Sequence, residues 1–594
     1  MTVVTAGENR VQLIGDTAPF VATLSAACEQ DGVELVTLSL VASAPAKPGK
    51  LTLKFFVPCV DMTGLWSPSA ERNRSLPPDW SPGKASSATS SAPVVTAFGG
   101  DGLSRLTLAL SDAMNPVKLR AHVVEETGLL ECGAILFEQV ARAFDRYEVT
   151  LRIDRRVTPF ASALDDVRAW WEAMPEYKPA PVPAPARLAM YSSWYSFHQH
   201  VDPAGIEKQC RLAKELGCEA VIVDDGWQTD NNERGYAYCG DWRVCETKIP
   251  DMRAHVARVH EIGLKYILWY SVPFVGVHSD AWARFQEKVL RPHHHPGVLG
   301  VLDPRYPDVR EYLIGVYEKA VRDWDLDGFK LDFVDTFRID AQPPLHPGEA
   351  DFAGVPEAAD RLLSDVIARL SALKPDICIE FRQSYIGPLM RKYGNMFRSG
   401  DCPDDAVQNR VHIVDIRLLA GSTATHADML MWHPAEPVES AALQILNILF
   451  SVPQISVMLD NLPADHARMV RFWLGFWLKY RAVLLDAPIE PTSPELLYPV
   501  VSAQAGATRI SVNYGAGIVK AGRKAVDEWI VVNAARTNGV ILDGGFDANS
   551  TATIYNVFGD PVSSGGTRLG DGEIAKLDIP PAGYAVVSNG RPKA

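Results

Sequence analysis

Over the first 160 or so residues, apolar positions alternate with polar ones in short runs, and then the rhythm changes. Val33–Ala42, Lys50–Pro58, Ser104–Asp112 and Tyr147–Val157 are alternating or β-branched segments separated by Gly, Pro, Asp and Ser turns. That pattern predicts a large β-sandwich. Within it, Trp80–Pro93 is small and polar and reads as a mobile loop. Ala163–Met174 has the spacing of a short helix. Pro175–Arg187 then interleaves proline with small residues, an extended and semi-rigid connector. The first domain boundary falls there, near residue 180.

From Arg187 onward the pattern is strand, then helix, repeated. Ala186–Tyr195 reads as a buried strand. Asp202 and Pro203 supply an N-cap and first-turn pair for a helix whose apolar face is Ile206, Cys210, Ala213 and Leu216, ended by Gly217. Cys218–Trp227, Lys265–Val272, Asp327–Val334 and Asp376–Gln383 are further strands, the last three fed by helical runs at Met252–Gly263, Asp308–Trp324 and Glu357–Lys374. Shorter candidates lie at Asn395–Asp401, Ser422–Met429 and Pro453–Asp460. A parallel (β/α)8 TIM barrel accounts for this alternation. An open doubly wound sheet is the runner-up, but no Gly-rich phosphate turn follows the first strand. After about Ala487 the helical signals stop. Thr508–Gly515, Glu528–Ala535, Thr551–Gly559 and Gly583–Gly590 predict a small C-terminal β-sandwich. The expected organisation is an α/β chain with residues 1–180 as N-terminal β-sandwich plus linker, 181–487 as barrel and 488–594 as C-terminal β-sandwich.

Composition narrows the function classes. The 594 residues carry 58 Lys and Arg against 72 Asp and Glu, a formal charge of −14. An acidic surface argues against a nucleic-acid or anionic-membrane partner, which needs a basic face. No apolar run reaches the roughly 18 residues of a membrane helix, and the first residues lack the basic and apolar regions of a signal peptide. Nine cysteines without a CxxC pair suit reduced thiols in a cytoplasm better than a disulfide framework or a zinc site. The sequence leaves a homo-oligomer open. Its 14 Trp, 18 Tyr and 21 Phe are the more suggestive feature, since aromatic walls suit sugar rings.

In a barrel of this kind the chemistry sits at the C-terminal ends of the strands. The polar and aromatic residues there are Trp194 and Tyr195, then Asp224, Asp225 and Trp227, then Trp269 and Tyr270. Lys330, Asp332 and Asp335 end the fourth strand, Glu380 and Arg382 the fifth, Asp401 the sixth, His426 and Asp428 the seventh and Asp460 the eighth. Phe329-Lys330-Leu331-Asp332-Phe333 is the sharpest of these. Side chains two apart share one face of a strand, so Lys330 and Asp332 both point into the mouth. A lysine beside a buried aspartate keeps it ionised, and a fixed carboxylate is what covalent glycosylation of an enzyme requires. A purely structural Lys–Asp pair is the competing account. Asp224 and Asp225 can each accept a sugar hydroxyl while Trp227 offers an apolar face; an Asx turn with a packed Trp is the alternative.

Four motifs in order resemble a known group. Val223-Asp-Asp-Gly-Trp-Gln228, Gly240-Asp-Trp242, Gly263-Leu-Lys-Tyr-Ile-Leu-Trp269 and Asp327-Gly-Phe-Lys-Leu-Asp-Phe333 look like signatures of clan D α-glycosidases. They are most similar to glycoside hydrolase family 36, which holds α-galactosidases and raffinose-synthase-like enzymes. The resemblance spans roughly 187 to 465, and flanking β-sandwiches fit it. It implies that Asp332 is the nucleophile and that the acid/base is an aspartate after the sixth strand. Asp401, in Arg398-Ser-Gly-Asp401-Cys-Pro-Asp404-Asp405, is the match, with one residue inserted, so Asp404 and Asp405 stay open as alternatives. It further implies that Asp224, Asp225 and Lys330 hold sugar hydroxyls; Trp227, Trp194, Trp269 and Arg382, from their places at the strand ends, are expected to complete the substrate site.

The sequence departs from the family at the fifth strand. Family α-galactosidases usually carry Cys-Ser-Gly-Gly-Gly there, and this chain has Glu380-Phe-Arg382-Gln-Ser-Tyr385-Ile-Gly-Pro. Fold and mechanism are expected to survive that change, while the galactose assignment is the part it touches. The expected activity is a retaining α-glycoside hydrolase, α-galactosidase-like, acting on an α-linked oligosaccharide or glycoside. Asp332 would attack while a protonated Asp401 serves the leaving oxygen, with no metal and no cofactor. Transglycosylation and a non-galactose sugar are the alternatives within the class. His198-Gln-His200 after the first strand raises a remoter one, a metal-dependent amidohydrolase, which would also want histidines after strands five and six. His293-His294-His295 between prolines reads as solvated surface.

Overall fold

A computed structural model describes residues 2–139, 142–292, 298–337, 343–515, 517–522, 526–546, 549–562, 567–569 and 572–588. The His293–His295 run lies outside them.

The N-terminal part is two six-stranded sheets facing each other across an apolar core that includes Leu38, Leu53, Leu108 and Leu151. Strands such as Asn9–Ile14 and Leu51–Pro58 bury alternate residues, as the period-2 pattern predicts, while Val94–Phe98 is buried on both faces. Trp80–Pro93 is a correction. Lys84–Ser86 pairs antiparallel with Val117–Leu119, Ala88, Thr89 and Ala92 are buried, and the Ser91 N–H donates to the Ser384 carbonyl at 2.6 Å. Small side chains there let the backbone lie against the barrel rather than wave in solvent.

The central unit is a barrel of eight parallel strands: Met190–Ser192, Ala220–Val223, Lys265–Ser271, Gly328–Asp332, Cys378–Arg382, Met396–Arg398, Ala424–His426 and Gln454–Ile455. The eighth pairs with the first, and bonds such as Val452 N–H to Thr425 O (2.8 Å) and Leu430 N–H to Gln454 O (2.7 Å) close the ring. The helix Pro203–Leu216 begins and ends as its sequence predicts. Asp202 accepts from the Gly205 N–H at 2.9 Å, and Gly217 takes a left-handed conformation (φ 107°) at the stop. Inside the barrel, Met190, Ala220, Ile267, Cys378, Met396 and Ala424 make a small apolar floor. Two residues further along the strands comes a polar layer: Lys330, Glu380, Arg398 and His426. The positions that face this axis are thus apolar at the bottom and charged at the top, while Phe329 packs outward with Tyr270 and Tyr317.

Beyond the barrel lie a seven-stranded sheet running from Ile489–Pro491 to Tyr584–Ser588 and a three-stranded sheet of Ile518–Lys520, Val540–Phe546 and Gly572–Leu577. Val519, Val531, Leu542 and Val587 fill the space between them.

Candidate active site

The fourth strand delivers Asp332 to the mouth with its two oxygens in different situations. Oδ1 accepts from Arg382 Nε at 2.7 Å, from the Phe333 N–H at 2.8 Å and from the Tyr385 hydroxyl. Oδ2 accepts from Trp269 Nε1 alone, at 3.1 Å. Burial pushes the Asp332 carboxyl up, but the Arg382 and Lys330 charges and the Tyr385 and Trp269 donors outweigh it and hold the group well below the usual carboxylate range. Asp332 is therefore an ionised, oriented carboxylate. Its hydrogen-bonded cation is Arg382, whereas the Lys330 ammonium bonds Asp224 Oδ2 at 2.6 Å. The expected Lys330–Asp332 pair is in fact two crossed pairs, Lys330–Asp224 and Arg382–Asp332.

The Asp224-Asp225-Gly-Trp segment turns sharply after the second strand. A Cβ on Gly226 would meet the Gln199 backbone at 2.6 Å, so only glycine fits. Asp225 is enclosed, with Gln228 Nε2 on one oxygen at 2.7 Å and Gln199 Nε2 on the other at 2.6 Å. Burial raises its pKa to about 6 against the pull of those two donors. Trp227 corrects an expectation. Its ring is fully buried among Trp242, Tyr270 and Trp324, and its indole N–H donates to the Trp269 carbonyl at 2.9 Å. It offers no face to a sugar because it fills the helix side of the wall. Trp269 is buried as well and acts on Asp332 through its N–H. Partly exposed rings at the mouth include Trp194, tilted against His198 with centroids 3.8 Å apart, and Tyr236 and Phe333 beside each other at 5.2 Å.

After the sixth strand, Arg398 lies fully buried with three carboxylates around it. It donates to Asp401 Oδ1 at 2.8 Å and to Asp428 Oδ1, and stands 3.6 Å from Glu380. Asp428 also accepts from the Cys402 N–H at 2.7 Å and the Tyr195 hydroxyl at 2.9 Å. Asp401 is at the rim, with half its side-chain surface exposed. Loss of water pushes its carboxyl up, but Arg398, Arg382 and Lys330 more than reverse this, and the net direction is downward. That corrects the expectation of a raised, protonated Asp401 in the free site: the cations outweigh the neighbouring Asp332. Asp428 is shifted the other way by burial. Asp404 and Asp405 are engaged elsewhere. Asp404 accepts from Gln444 Nε2 at 2.9 Å, while Asp405 caps the helix Ala406–Ala420 and pairs with Arg72. Asp460 is likewise taken up outside the site, by Lys208 and Gln209.

Residue-level reading of the sequence passed over Arg398, Gln199 and Tyr236. Arg398 carries the same signal as Lys330, a charge alternating with apolar neighbours on a barrel strand. Gln199 and Tyr236 sit in loops, where no periodicity marks them. His198 and His200 find no metal company: among the described residues no group of three His, Cys, Asp or Glu side chains could hold an ion.

Comparison with known proteins matches residues 185–352 to the melibiase family. Over 135 residues the chain is 30% identical to α-galactosidase AgaA of Geobacillus stearothermophilus, which covers 22% of this chain and 18% of that one. It is 28% identical over 159 residues to α-galactosidase Mel36A of Lactobacillus acidophilus, 25% and 20% of the two chains. The aligned stretch is thus about a fifth of these relatives' length. By structure, the α-galactosidase of Lactobacillus brevis superposes with a TM-score of 0.62 at 15% identity, over 98% of this chain and 85% of that one. A sequence segment shared with melibiases therefore sits in a chain whose whole architecture, barrel and flanking sheets together, is that of the GH36 α-galactosidases.

Proposed function

We propose that this protein is a retaining α-glycoside hydrolase of α-galactosidase type. The observation that carries the reading is the asymmetry of Asp332. Three donors saturate Oδ1, one long bond reaches Oδ2, and Oδ2 is the oxygen free to attack an anomeric carbon. Attack expels the leaving oxygen and forms a glycosyl-enzyme ester, which water then hydrolyses with retention. Asp401 is the acid/base. It shares the cations of Asp332, whereas Asp404 and Asp405 are committed to Gln444 and Arg72. Removal of water is the largest influence on its pKa and acts upward, so a sugar that covers the rim favours the protonated form needed for donation. Asp224 and Asp225 are the hydroxyl acceptors, with Lys330 orienting Asp224, and Trp194, Tyr236 and Phe333 are the apolar contacts. The two carboxylates require no cofactor.

Solved GH36 AgaA variants hold raffinose and stachyose, and an α-linked oligosaccharide of that kind is the substrate class proposed here. A cytoplasmic setting is supported by nine free thiols, six of them buried. No helix among the described residues is long and apolar enough to cross a membrane. The deciding experiment is turnover of a panel of nitrophenyl α-glycosides with proton NMR of the first product. Galactoside hydrolysis giving the α-anomer is expected. A first-formed β-anomer would sink the double displacement, and turnover of another α-sugar alone would overturn the galactose assignment.

A further inference from the structure

A cavity of about 640 Å3 separates the barrel from the C-terminal sheets, well removed in sequence from Asp332. Its barrel wall is Ala406, Val407 and Arg410, from the start of the helix Ala406–Ala420, with Leu443 and Asn447. Its other wall includes Asn513, Tyr514, Ala535, Arg536 and Thr537. That volume is in the range of small-molecule sites.

Its charge is one-sided. Arg410 is 6% exposed yet has no carboxylate partner among the described residues: Nε donates to the Leu497 carbonyl at 3.1 Å, Nη1 to Asn447 Oδ1 at 2.7 Å, and the guanidinium lies 4.3 Å from the Tyr514 ring. Nη2 makes no hydrogen bond to a described residue. Among the described residues Arg536 donates only to Ser440 Oγ, at 2.7 Å. No Asp or Glu is among the described lining residues, and the nearby Asp404 and Asp405 are already paired. A buried guanidinium without a counter-charge is costly. Here burial lowers the pKa of Arg410, the reverse of the paired arginines Arg74, Arg382 and Arg398.

We propose that this interdomain cavity is a binding site for a small organic anion, a carboxylate or phosphate ester on a sugar-sized body. The anionic group would face Arg410 Nη2 and Arg536. The ring would lie against Leu443, Ala535 and Tyr514, with Thr537 as a hydroxyl partner. This does not rest on the hydrolase reading. It does bear on the mouth, because Asn409, beside Arg410, exchanges two hydrogen bonds with the Asp428 backbone at 3.0 and 3.2 Å.

The test is isothermal titration of the full chain with a hexose 6-phosphate, a hexuronate and the neutral hexose. One of the two anions is expected to bind at a single site that the neutral sugar does not occupy, and comparing the two identifies the anionic group. Ala535→Trp, which fills the cavity, is expected to weaken binding at least about tenfold, and Arg536→Gln to weaken it less. Circular dichroism and melting temperature establish that each variant is folded. Arg536 is exposed, so its variant keeps the test open if Ala535→Trp misfolds. Absence of binding by both anions, equal binding of neutral hexose, or binding indifferent to the folded variants would overturn the proposal.

Discussion

Asp332 at the barrel mouth and Asp415 within the helix Ala406–Ala420 each accept hydrogen bonds from an arginine, a tyrosine and a tryptophan. For Asp332 these are Arg382, Tyr385 and Trp269. For Asp415 they are Arg74 at 2.8 Å, Tyr498 at 2.5 Å and Trp66 at 3.0 Å. The difference lies in where the partners come from. Those of Asp332 all belong to neighbouring barrel strands and the loop after the fifth, and the site opens to solvent on one side. Those of Asp415 come from the N-terminal domain and from the loop between the first two strands of the seven-stranded sheet, so its carboxylate is a closed junction of three parts. One set of side-chain types thus holds two carboxylates alike, one bond on Oδ2 in each; Asp332 faces the mouth, as the proposed reagent must, and Asp415 is sealed on all sides as a staple.

Replacing each aspartate by alanine separates these roles most sharply. Asp332→Ala is expected to lose at least about a thousandfold in rate, with the melting temperature changed little or raised. Asp415→Ala leaves Arg74 buried and unpaired. It is expected to cost about 3–5 kcal/mol of stability while the folded fraction keeps its turnover. Denaturant unfolding beside steady-state kinetics measures both, and a stable, inactive Asp415→Ala would break the comparison. A slow fluorosugar should label the peptide holding Asp332.

The second-largest effect concerns the acid. Asp401→Ala is expected to slow substrates with poor leaving groups by a hundredfold or so and activated ones far less, with azide restoring part of the rate. Asp404→Ala and Asp405→Ala should spare that leaving-group pattern, because one serves Gln444 and the other a helix cap and Arg72. If either reproduces it instead, the acid has been misplaced.

The same contrast explains what could be read from the sequence. The bonds on Asp332 link residues 50 to 63 apart, within one repeating pattern whose strand ends are known to converge. The Lys-x-Asp alternation, the (β/α)8 order and the capping of Pro203–Leu216 were therefore legible. The bonds from Trp66 and Arg74 to Asp415 span 349 and 341 residues, and no periodicity announces a contact of that range. Trp227 misled because a strand-end tryptophan can face the axis or the helices, and the Gly226 turn sends it to the helices. The crossed pairing of Lys330 and Arg382 was hidden because the fifth strand's departure from the family looked like a change of substrate pocket. Arg382 and Tyr385 both bond Asp332, so the same departure also changes how the proposed nucleophile is held.

That change has its own consequence, smaller than the loss of either carboxylate. Arg382 is the strongest downward influence on the Asp332 pKa. Arg382→Gln is expected to raise it and move the acid limb of kcat/KM to higher pH, at a cost of about tenfold in rate at neutral pH. Because Arg382 and Tyr385 are pinned to Asp332 and crowd that side of the mouth, 2-acetamido galactosides are expected to be poor substrates. Preference for the acetamido sugar in the nitrophenyl series would refute this.

The smallest effect is expected at Asp225, and its sign differs from that of Asp332. Burial lifts its pKa to about 6, above the unfolded value of about 3.9. The folded state thus binds this proton more tightly than the unfolded chain does. The stability it confers is complete below about pH 4 and lost as pH rises toward 6, opposite to a depressed carboxylate. Asparagine keeps the shape and removes the charge, so Asp225→Asn should melt higher than the parent at pH 8, with the gap closing by pH 4. Catalysis should move the other way. An ionised Asp225 accepts a sugar hydroxyl, so the parent should show a limb in kcat/KM near pH 6 that the variant lacks, and the variant should bind galactoside more weakly. Thermal melts and pH profiles on the two proteins decide it. A variant that melts lower at pH 8, or a limb near 6 that survives the substitution, would show that Asp225 is ionised throughout and that its two glutamine donors outweigh its burial.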